Sequence, residues 1–432
     1  MRVLVTGGYG LIGSAVLARL HRDGHAVIGA GRSVGDARRR FPYAQWVEAD
    51  FDRLSTPDSW HPLLSGIDAV VNCVGVLQDG ARDNTQRVQV DATCALFDAC
   101  AQAGIRRVIQ ISAIGADSAG PTAFTRTKAA ADAYLARLDI DWVILRPGLV
   151  LGHAVHGGSA ILRGTAGLPL VTPLIAGDSR ILVVDMDDVT ATVAFALAPG
   201  APARCVWDVC HPQPVSLGEV VIAVRRWLGF PPRPIVRVPG SIAKCLSVFA
   251  DALGWLGWRS PVRSTAVRQL NAGMYAEPTK WMTATGMRPQ SFDDILAARP
   301  ATLQDRWHAR LYFIKPLAIG TLSAFWILSG LIALGPGWAE SMRLLAPLRL
   351  EESTAASLVI GGAVLDMVLG AALLVRTLAR RALGLMLVVC ISYLIAATAV
   401  DPALWFDPLG PLTKITIVML ATLFTLSTID ER

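Results

Sequence analysis

The sequence predicts an α/β fold, a doubly wound parallel sheet with a small C-terminal lobe, followed by an all-α bundle of four transmembrane helices. Three observations carry this expectation. Residues 6–13, TGGYGLIG, stand between a short apolar run and a helical pattern. Strand-like and helix-like segments then alternate through the first third of the chain. Residues 311–432 are strongly apolar, and they lift the hydrophobic share of the 432 residues to 53% and the mean hydropathy to +0.46, high for a chain bathed in water throughout.

Arg2–Thr6 is apolar and β-branched, which reads as a buried strand. Leu11–Arg22 follows with apolar residues at helical spacing. Between the two, Gly7 permits a tight turn, Gly10 lets the backbone approach a pyrophosphate, and Gly13 lets helix and strand pack closely. A further strand at His25–Ala30 gives this glycine pattern the context of a dinucleotide-binding Rossmann unit. Gly7, Tyr9, Gly10, Leu11, Ile12 and Gly13 are the expected cradle. NAD-binding units usually end the second strand in a carboxylate that holds the ribose hydroxyls. Here that place reads Ala30-Gly31-Arg32-Ser33. A guanidinium suits a 2′-phosphate, so NADP(H) is expected over NAD(H), held by Arg32 and Ser33. Arg38, Arg39 and Arg40 read as a solvated helix face.

Further strands are expected at Gln45–Glu48, Ile67–Val71, Arg107–Ser112 and Trp142–Arg146, with helices such as Asp91–Ala103 and Lys128–Leu138 between them. Such alternation builds a doubly wound sheet, with ligands at the carboxyl ends of its strands. TGGYGLIG, Asp50, NCVG at 72–75, ISAIGA at 111–116, TKAAAD at 127–132 and LRPG at 145–148 come in an order that resembles the short-chain dehydrogenase/reductase superfamily. The similarity is strongest to its atypical, extended branch, which includes the Rossmann-fold accessory subunit of respiratory complex I. It covers roughly residues 1–155. The resemblance implies that Asp50 contacts the adenine amino group. It also implies that Cys73, Val74 and Gly75 pass along the cofactor and that Pro147 and Gly148 lie by the nicotinamide amide. Ser112 and Lys128 match the family's catalytic serine and lysine.

The family tyrosine stands four residues before the lysine, on one helix face, so that the ammonium lowers its pKa. Here that position is Phe124, which has no proton to give. Thr125 and Thr127 are too weakly acidic to substitute, and Tyr134 lies six residues beyond the lysine. His153 and His156, in LGHAVHGG, are either an alternative acid–base pair or a solvated loop. Asp187 and Asp188 look like the acid that caps the helix after the substrate loop.

In the middle of the chain, Ser216 and Glu219 form an S-x-x-E capping box. Ser241–Trp258 is unusually apolar, and three readings stand: the cover of a greasy pocket, a helix on a membrane surface, or a core helix. The seven cysteines are scattered and odd in number, as expected of buried reduced thiols. Cys205, Cys210 and His211 resemble half a metal site without a second half, so no metal is expected. The net charge of +6 is not gathered into a patch interleaved with aromatics, which argues against nucleic acid as a partner. Val3–Val5 is too short for the apolar core of a secretory signal, so none is expected.

Four apolar blocks follow, near Leu317–Gly335, Ala355–Val375, Ala382–Val400 and Leu412–Ile429. Each is long enough for a bilayer core of about 30 Å. Arg299, Arg306, Arg310 and Lys315 precede the first, and Arg376, Arg380 and Arg381 stand between the second and third. The other two loops carry Glu340, Glu351, Glu352, Asp401 and Asp407. By the positive-inside rule the N-terminal domain and the C-terminus are cytoplasmic, in a multi-pass protein of a bacterial inner membrane. IKPLAIGTLSAFWILSGLIAL at 314–334 resembles the DoxX-like four-helix membrane family. Asp366, in mid-span, needs a partner such as Tyr393, Ser392 or Thr321; it reads as an interhelical hydrogen bond or as a group handling quinone or protons.

The expected division is a nucleotide-binding Rossmann domain at 1–215, a substrate lobe at 216–310 and the membrane domain at 311–432. The expected function is an NADP(H)-dependent oxidoreductase or epimerase acting on a hydrophobic, lipid-like or quinone substrate. The alternative is a non-catalytic NADPH-binding sensor or assembly subunit.

Overall fold

The computed structural model describes residues 1–81, 83–258, 260, 262–273 and 275–429. The chain divides into two compact units, Met1–Ala252 with Ser260–Ala309, and Leu253–Arg259 with Arg310–Arg432.

The first unit is built on β1 (Arg2–Thr6), α1 (Leu11–Arg22), β2 (Ala26–Gly31), α2 (Gly35–Arg40), β3 (Gln45–Glu48), α3 (Pro57–Leu64), β4 (Ala69–Asn72), α4 (Ala92–Gln102), β5 (Arg107–Ile111), α5 (Ala123–Leu135) and β6 (Asp141–Pro147). With the strand Cys205–Val209 these make one seven-stranded sheet, ordered Cys205–Val209, β6, β5, β4, β1, β2, β3. Every pairing in it is parallel. The strands alternate between two apolar layers. Val3, Val5, Val71, Ile109 and Val143 pack with α1 and the helix Met186–Leu197, whereas Leu4, Val70, Val108 and Ile144 pack with α3 and α4. Each such fully buried side chain contributes about 1.5–3 kcal/mol by leaving water. The strand order reverses between β1 and β4, and the carboxyl ends of these central strands are where a doubly wound sheet binds its ligand.

Most of the expected strand ends shift by one or two residues. The larger difference is α5, which begins at Ala123 rather than Lys128 because Thr122 and Thr125 form a reciprocal cap. Phe124, Lys128 and Asp132 therefore occupy one face of a single helix.

A smaller apolar cluster joins the helices Gly158–Ala166, Leu217–Trp227 and Phe292–Ala297. The Ser216–Glu219 box is formed. Buried Arg225 ties this lobe together through Ala166 O at 2.7 Å, Leu168 O at 2.9 Å and Pro231 O at 2.6 Å. One expectation is corrected: the cap of Met186–Leu197 is Asp185, whose carboxylate accepts from Asp187 N, not Asp187 or Asp188. Asp185 already stands in the extended conformation that an N-cap requires. Arg299 bonds both Asp185 and Asp187 at 2.7 Å, so it closes this helix end rather than flanking a membrane span.

Among the described residues, four helices are long and apolar enough to cross a membrane: Leu303–Leu334, whose residues from Arg310 on belong to the second unit, and Glu352–Leu373, Arg376–Val400 and Pro411–Thr428. Arg376, Arg380 and Arg381 lie inside the third of these rather than in a loop, because the helix starts at Arg376. The helices approach closely at glycines: a Cβ on Gly330 would stand 2.4 Å from Ala363 O, and one on Gly370 would stand 2.8 Å from Ser323 O. The Tyr393 hydroxyl donates to Asp366 Oδ1 at 3.1 Å, which selects one of the three partners considered for that carboxylate.

Candidate functional site

The turn after β1 is as tight as its glycines suggest. Gly7 has φ +66°, and a Cβ there would lie 3.1 Å from the Cys73 carbonyl. A Cβ on Gly13 would stand 2.3 Å from Gly7 O. Gly10 N donates to Gly7 O at 2.8 Å. Gly8, absent from the expected cradle, is equally constrained: its Cβ would meet Leu17 at 2.9 Å and Gly29 at 3.1 Å. Behind the turn runs a buried polar ladder that reading by motif missed. Thr6 Oγ1 donates to Asn72 Oδ1 at 2.5 Å, and Asn72 Nδ2 donates to Gln110 Oε1 at 2.7 Å. Val74 N also donates to Asn72 Oδ1, at 3.2 Å. The ladder fixes the ends of β1, β4 and β5 relative to one another. Its signal in the sequence is only a polar residue at the end of each apolar run.

Lys128 is buried beside this ladder. Its ammonium donates to Ile111 O at 2.9 Å and Val74 O at 3.1 Å, so it joins β5 to the loop after β4. Burial pushes it down to about 8, with Asp132 and Cys73 opposing. Burial pushes the Cys73 thiol up to about 12 against the pull of Lys128, which makes it a poor nucleophile. A Cβ on Gly75 would lie 3.5 Å from Lys128 Nζ and 3.8 Å from Gln89 Oε1. Gln89 sits on a π-helical turn, Arg87–Asp91, and donates to Thr127 Oγ1 at 2.8 Å. Its Oε1 is buried without a partner.

Ser112 Oγ donates to Asp132 Oδ2 at 2.8 Å. Arg146 reaches the same oxygen through Nε at 3.1 Å and Nη2 at 3.0 Å. Burial raises the Asp132 carboxyl, while Arg146 and Ser112 oppose that shift. Asp132 Oδ1 is buried and unpaired. Asp132 and Arg146 stand inside the motifs TKAAAD and LRPG, but spacing alone gave them no role. Pro147 and Gly148 follow on β6, where Ile114 N donates to Pro147 O at 3.3 Å and Gly148 N to Val209 O at 3.1 Å. Tyr134 points elsewhere: its hydroxyl donates to Asp98 at 2.7 Å, a bond that pushes it up to about 12. His153 and His156 are exposed.

A second group gathers at the ends of β2 and β3. The Tyr9 ring covers Gly31, where a Cβ would stand 2.2 Å from its edge, and Arg32 N donates to the Tyr9 hydroxyl at 3.2 Å. Arg32 Nη2 pairs with Asp83 at 2.9 Å. Ser33 is exposed, and Asp50 is half-buried beside Arg53 at 3.7 Å. Asp83 was not anticipated, because it arrives from the distant loop after β4. Cys205 lies on the edge strand of the sheet, and Cys210 packs with Ile114 and Leu182. Among the described residues no cluster of three or more His, Cys, Asp or Glu is placed to hold a metal.

A dinucleotide fits these residues. The backbone cradle at Gly7 and Gly13 would be filled by any Cβ, and Gln89 Oε1 and Asp132 Oδ1 are buried polar atoms still lacking partners.

Comparison with known proteins agrees. Residues 7–167 match the NAD(P)H-binding family model, and residues 323–423 match the DoxX-like family model. An uncharacterised Mycobacterium tuberculosis protein is 26% identical over 255 residues, which is 58% of this chain but 26% of that protein. The match thus spans about a quarter of that relative's length. An NAD(P)H azoreductase of Xenophilus azovorans is 25% identical over 54% of this chain and 75% of its own length. A ceramide reductase of Caulobacter vibrioides is 23% identical over 65% of this chain and 85% of its own. Among solved structures, the Thermus thermophilus UDP-glucose 4-epimerase complex with NAD has a TM-score of 0.53 at 21% identity, covering 68% of this chain and 96% of the epimerase. The chain carries an NAD(P)-binding Rossmann domain with a short-chain dehydrogenase-like fold, followed by a DoxX-like domain.

Proposed function

We propose that this protein is a membrane-anchored, NADP(H)-dependent oxidoreductase or epimerase that works on a hydrophobic, lipid-like or quinone substrate at the cytoplasmic face of the membrane. The observation that carries this reading is the strand-end cradle, from Gly7 to the buried Lys128, in one chain with four helices able to cross a bilayer. The bound nicotinamide would supply or accept a hydride. The backbone at Gly7, Tyr9, Gly10, Leu11, Ile12 and Gly13 would hold the pyrophosphate at the start of α1. Asp50 would meet the adenine, and Arg32 with Ser33 the 2′-phosphate. Cys73, Val74 and Gly75 would line its path, Lys128 would face the ribose, and Pro147 with Gly148 the amide. Two relatives are named reductases and two are named epimerase family proteins, so their labels support both halves of this reading.

A second reading rests on its own observation. Phe124 supplies no proton, and the Ser112 hydroxyl is already given to Asp132. Both suit a chain that binds NADPH without turnover, as a sensor or an assembly subunit. The test uses the full chain in detergent, titrated with NADPH and NADH and then offered quinones and lipid extracts. Tighter NADPH binding with acceptor-dependent oxidation is the expected result. Binding without oxidation by any acceptor favours the second reading, and failure to bind either nucleotide refutes both.

A further inference from the structure

The helix Gly240–Trp255 is inside out. Its buried positions are small, namely Ala243, Ser247 and Ala250. Its large apolar residues face outward: Ile242, Leu246, Val248 and Phe249 are all exposed, Phe249 at 64%. A helix docked on a domain surrounded by water does the reverse. The membrane-type helices of the same chain also leave large apolar residues exposed. In Glu352–Leu373, Ala355, Ala363, Leu369, Gly370 and Leu373 turn inward, while Leu358, Val364 and Val368 are exposed. The outward face lines a shallow apolar hollow of about 410 Å³. Ile235 and Val236, on the short strand just before it, extend the apolar surface. Exposed apolar area of this kind marks an interaction surface.

Three exposed cations are close to it in sequence. Lys244 is exposed on the helix, Arg233 is exposed with Nε bonded to Pro169 O, and Arg237 is exposed in a loose 3.4 Å pair with Asp178. At 16 residues the helix is about 24 Å long, short of a bilayer core of about 30 Å, so it suits lying in an interface rather than crossing one. The last turn of this helix, from Leu253 on, is grouped with the unit that holds Arg310–Arg432.

We propose that this face is an interfacial lipid-binding surface. Ile242, Leu246 and Phe249 rest among the upper acyl chains of an anionic bilayer, with Lys244, Arg233 and Arg237 at its headgroups. The proposal holds whether or not the bound nucleotide turns over.

Among the described residues Cys245, on the same face, is the one exposed cysteine, and it serves as a probe site. Full-length protein labelled there with a polarity-sensitive fluorophore is reconstituted into phosphatidylethanolamine–phosphatidylglycerol vesicles. The expected result is blue-shifted emission, quenched by lipids brominated along the acyl chain and shielded from aqueous iodide. Leu246→Glu with Phe249→Glu should reduce the bromolipid quenching by roughly half or more, while NADPH fluorescence and vesicle association stay unchanged. Water-like emission with full iodide access would overturn the proposal. So would shielding without bromolipid quenching together with Cys245–Cys245 cross-linking, because the face would then cover a second copy of the chain. Loss of the unmodified chain from the vesicles would overturn this proposal and the membrane anchorage together, leaving nucleotide binding to be judged by its own fluorescence.

Discussion

At Gly13 one methyl group is enough to test the cradle. A Cβ would stand 2.3 Å from Gly7 O, with backbone on both sides and no flexible side chain to yield. Gly13→Ala should weaken dinucleotide binding by at least about tenfold, read by NADPH fluorescence. Lys128 makes a prediction about pH. Its folded value of about 8 lies below the ordinary 10.5, so between these the unfolded chain holds a proton the folded chain lacks. This group alone therefore makes the fold more stable as pH rises through that window. Nucleotide affinity runs the other way, because only the ammonium has a third N–H, beyond those given to Ile111 O and Val74 O, to donate to a ribose oxygen. NADPH affinity should fall above about pH 8, and Lys128→Met should flatten that profile. Arg32 and Asp83 divide the choice of coenzyme. Arg32→Ala should cost NADPH about tenfold in affinity and leave NADH nearly unchanged. Asp83→Asn, which releases the guanidinium and removes a carboxylate from beside the phosphate site, should strengthen NADPH binding. If Arg32→Ala weakened both coenzymes equally, the assignment to the 2′-phosphate would be wrong. The glycines of the turn were legible in the sequence because their spacing is local, and Lys128 because its motif resembles a family pattern. Asp83, Gln89 and Asp132 were not assigned, since their partners come from other elements.

The helix Met186–Leu197 shows how an element's end can store electrostatic cost. Its first turn gathers Asp185, Asp187 and Asp188, and Arg299 satisfies only the first two. Burial, with help from the Asp185 charge, pushes Asp188 up to about 6 from an ordinary 3.8. Between those values the folded chain holds a proton the unfolded chain has released, so this group's contribution to stability falls as pH rises from 3.8 to 6. Asp188→Asn should stabilise the protein by about 1 kcal/mol at neutral pH, allowing for partial solvent screening. The gain should shrink as the pH falls from 6 and vanish below 3.8 in a thermal unfolding series, where the Asp188 carboxyl is protonated in folded and unfolded chains alike. A gain that persisted there would point to packing rather than charge. Asp187 and Asp188 read plausibly as a cap because the sequence gives the acidic cluster, but which member adopts the capping geometry depends on Arg299, more than a hundred residues away.

For the whole molecule, the testable matter is orientation. The positive-inside rule assigns the cytoplasmic side by counting Arg and Lys near the span ends. Arg299 leaves that count, since it is buried against Asp185, but Arg376, Arg380 and Arg381 remain at the start of one span. Cysteines placed at Trp338 and Phe406, in loops on the opposite side of the bundle by that rule, should react with an impermeant thiol reagent in intact cells. One placed at Arg381 should react only after the membrane is opened. The reverse pattern would turn the protein over and put the nucleotide domain outside the cell's NADPH supply.

Local pattern alone determined the alternation of strand and helix, the glycine turn, the Ser216–Glu219 capping box and the four long apolar helices, because each depends on residues within one or two turns of one another. Tertiary structure decided which carboxylate holds Arg32, that the Ser112 hydroxyl donates a hydrogen bond to Asp132, and that Arg299 closes a helix end. It also decided that Gly240–Trp255 turns its large side chains outward. An apolar stretch has the same composition whether it faces a core, a pocket or a bilayer; only the surface it is packed against distinguishes them, and that surface is assembled from the rest of the chain.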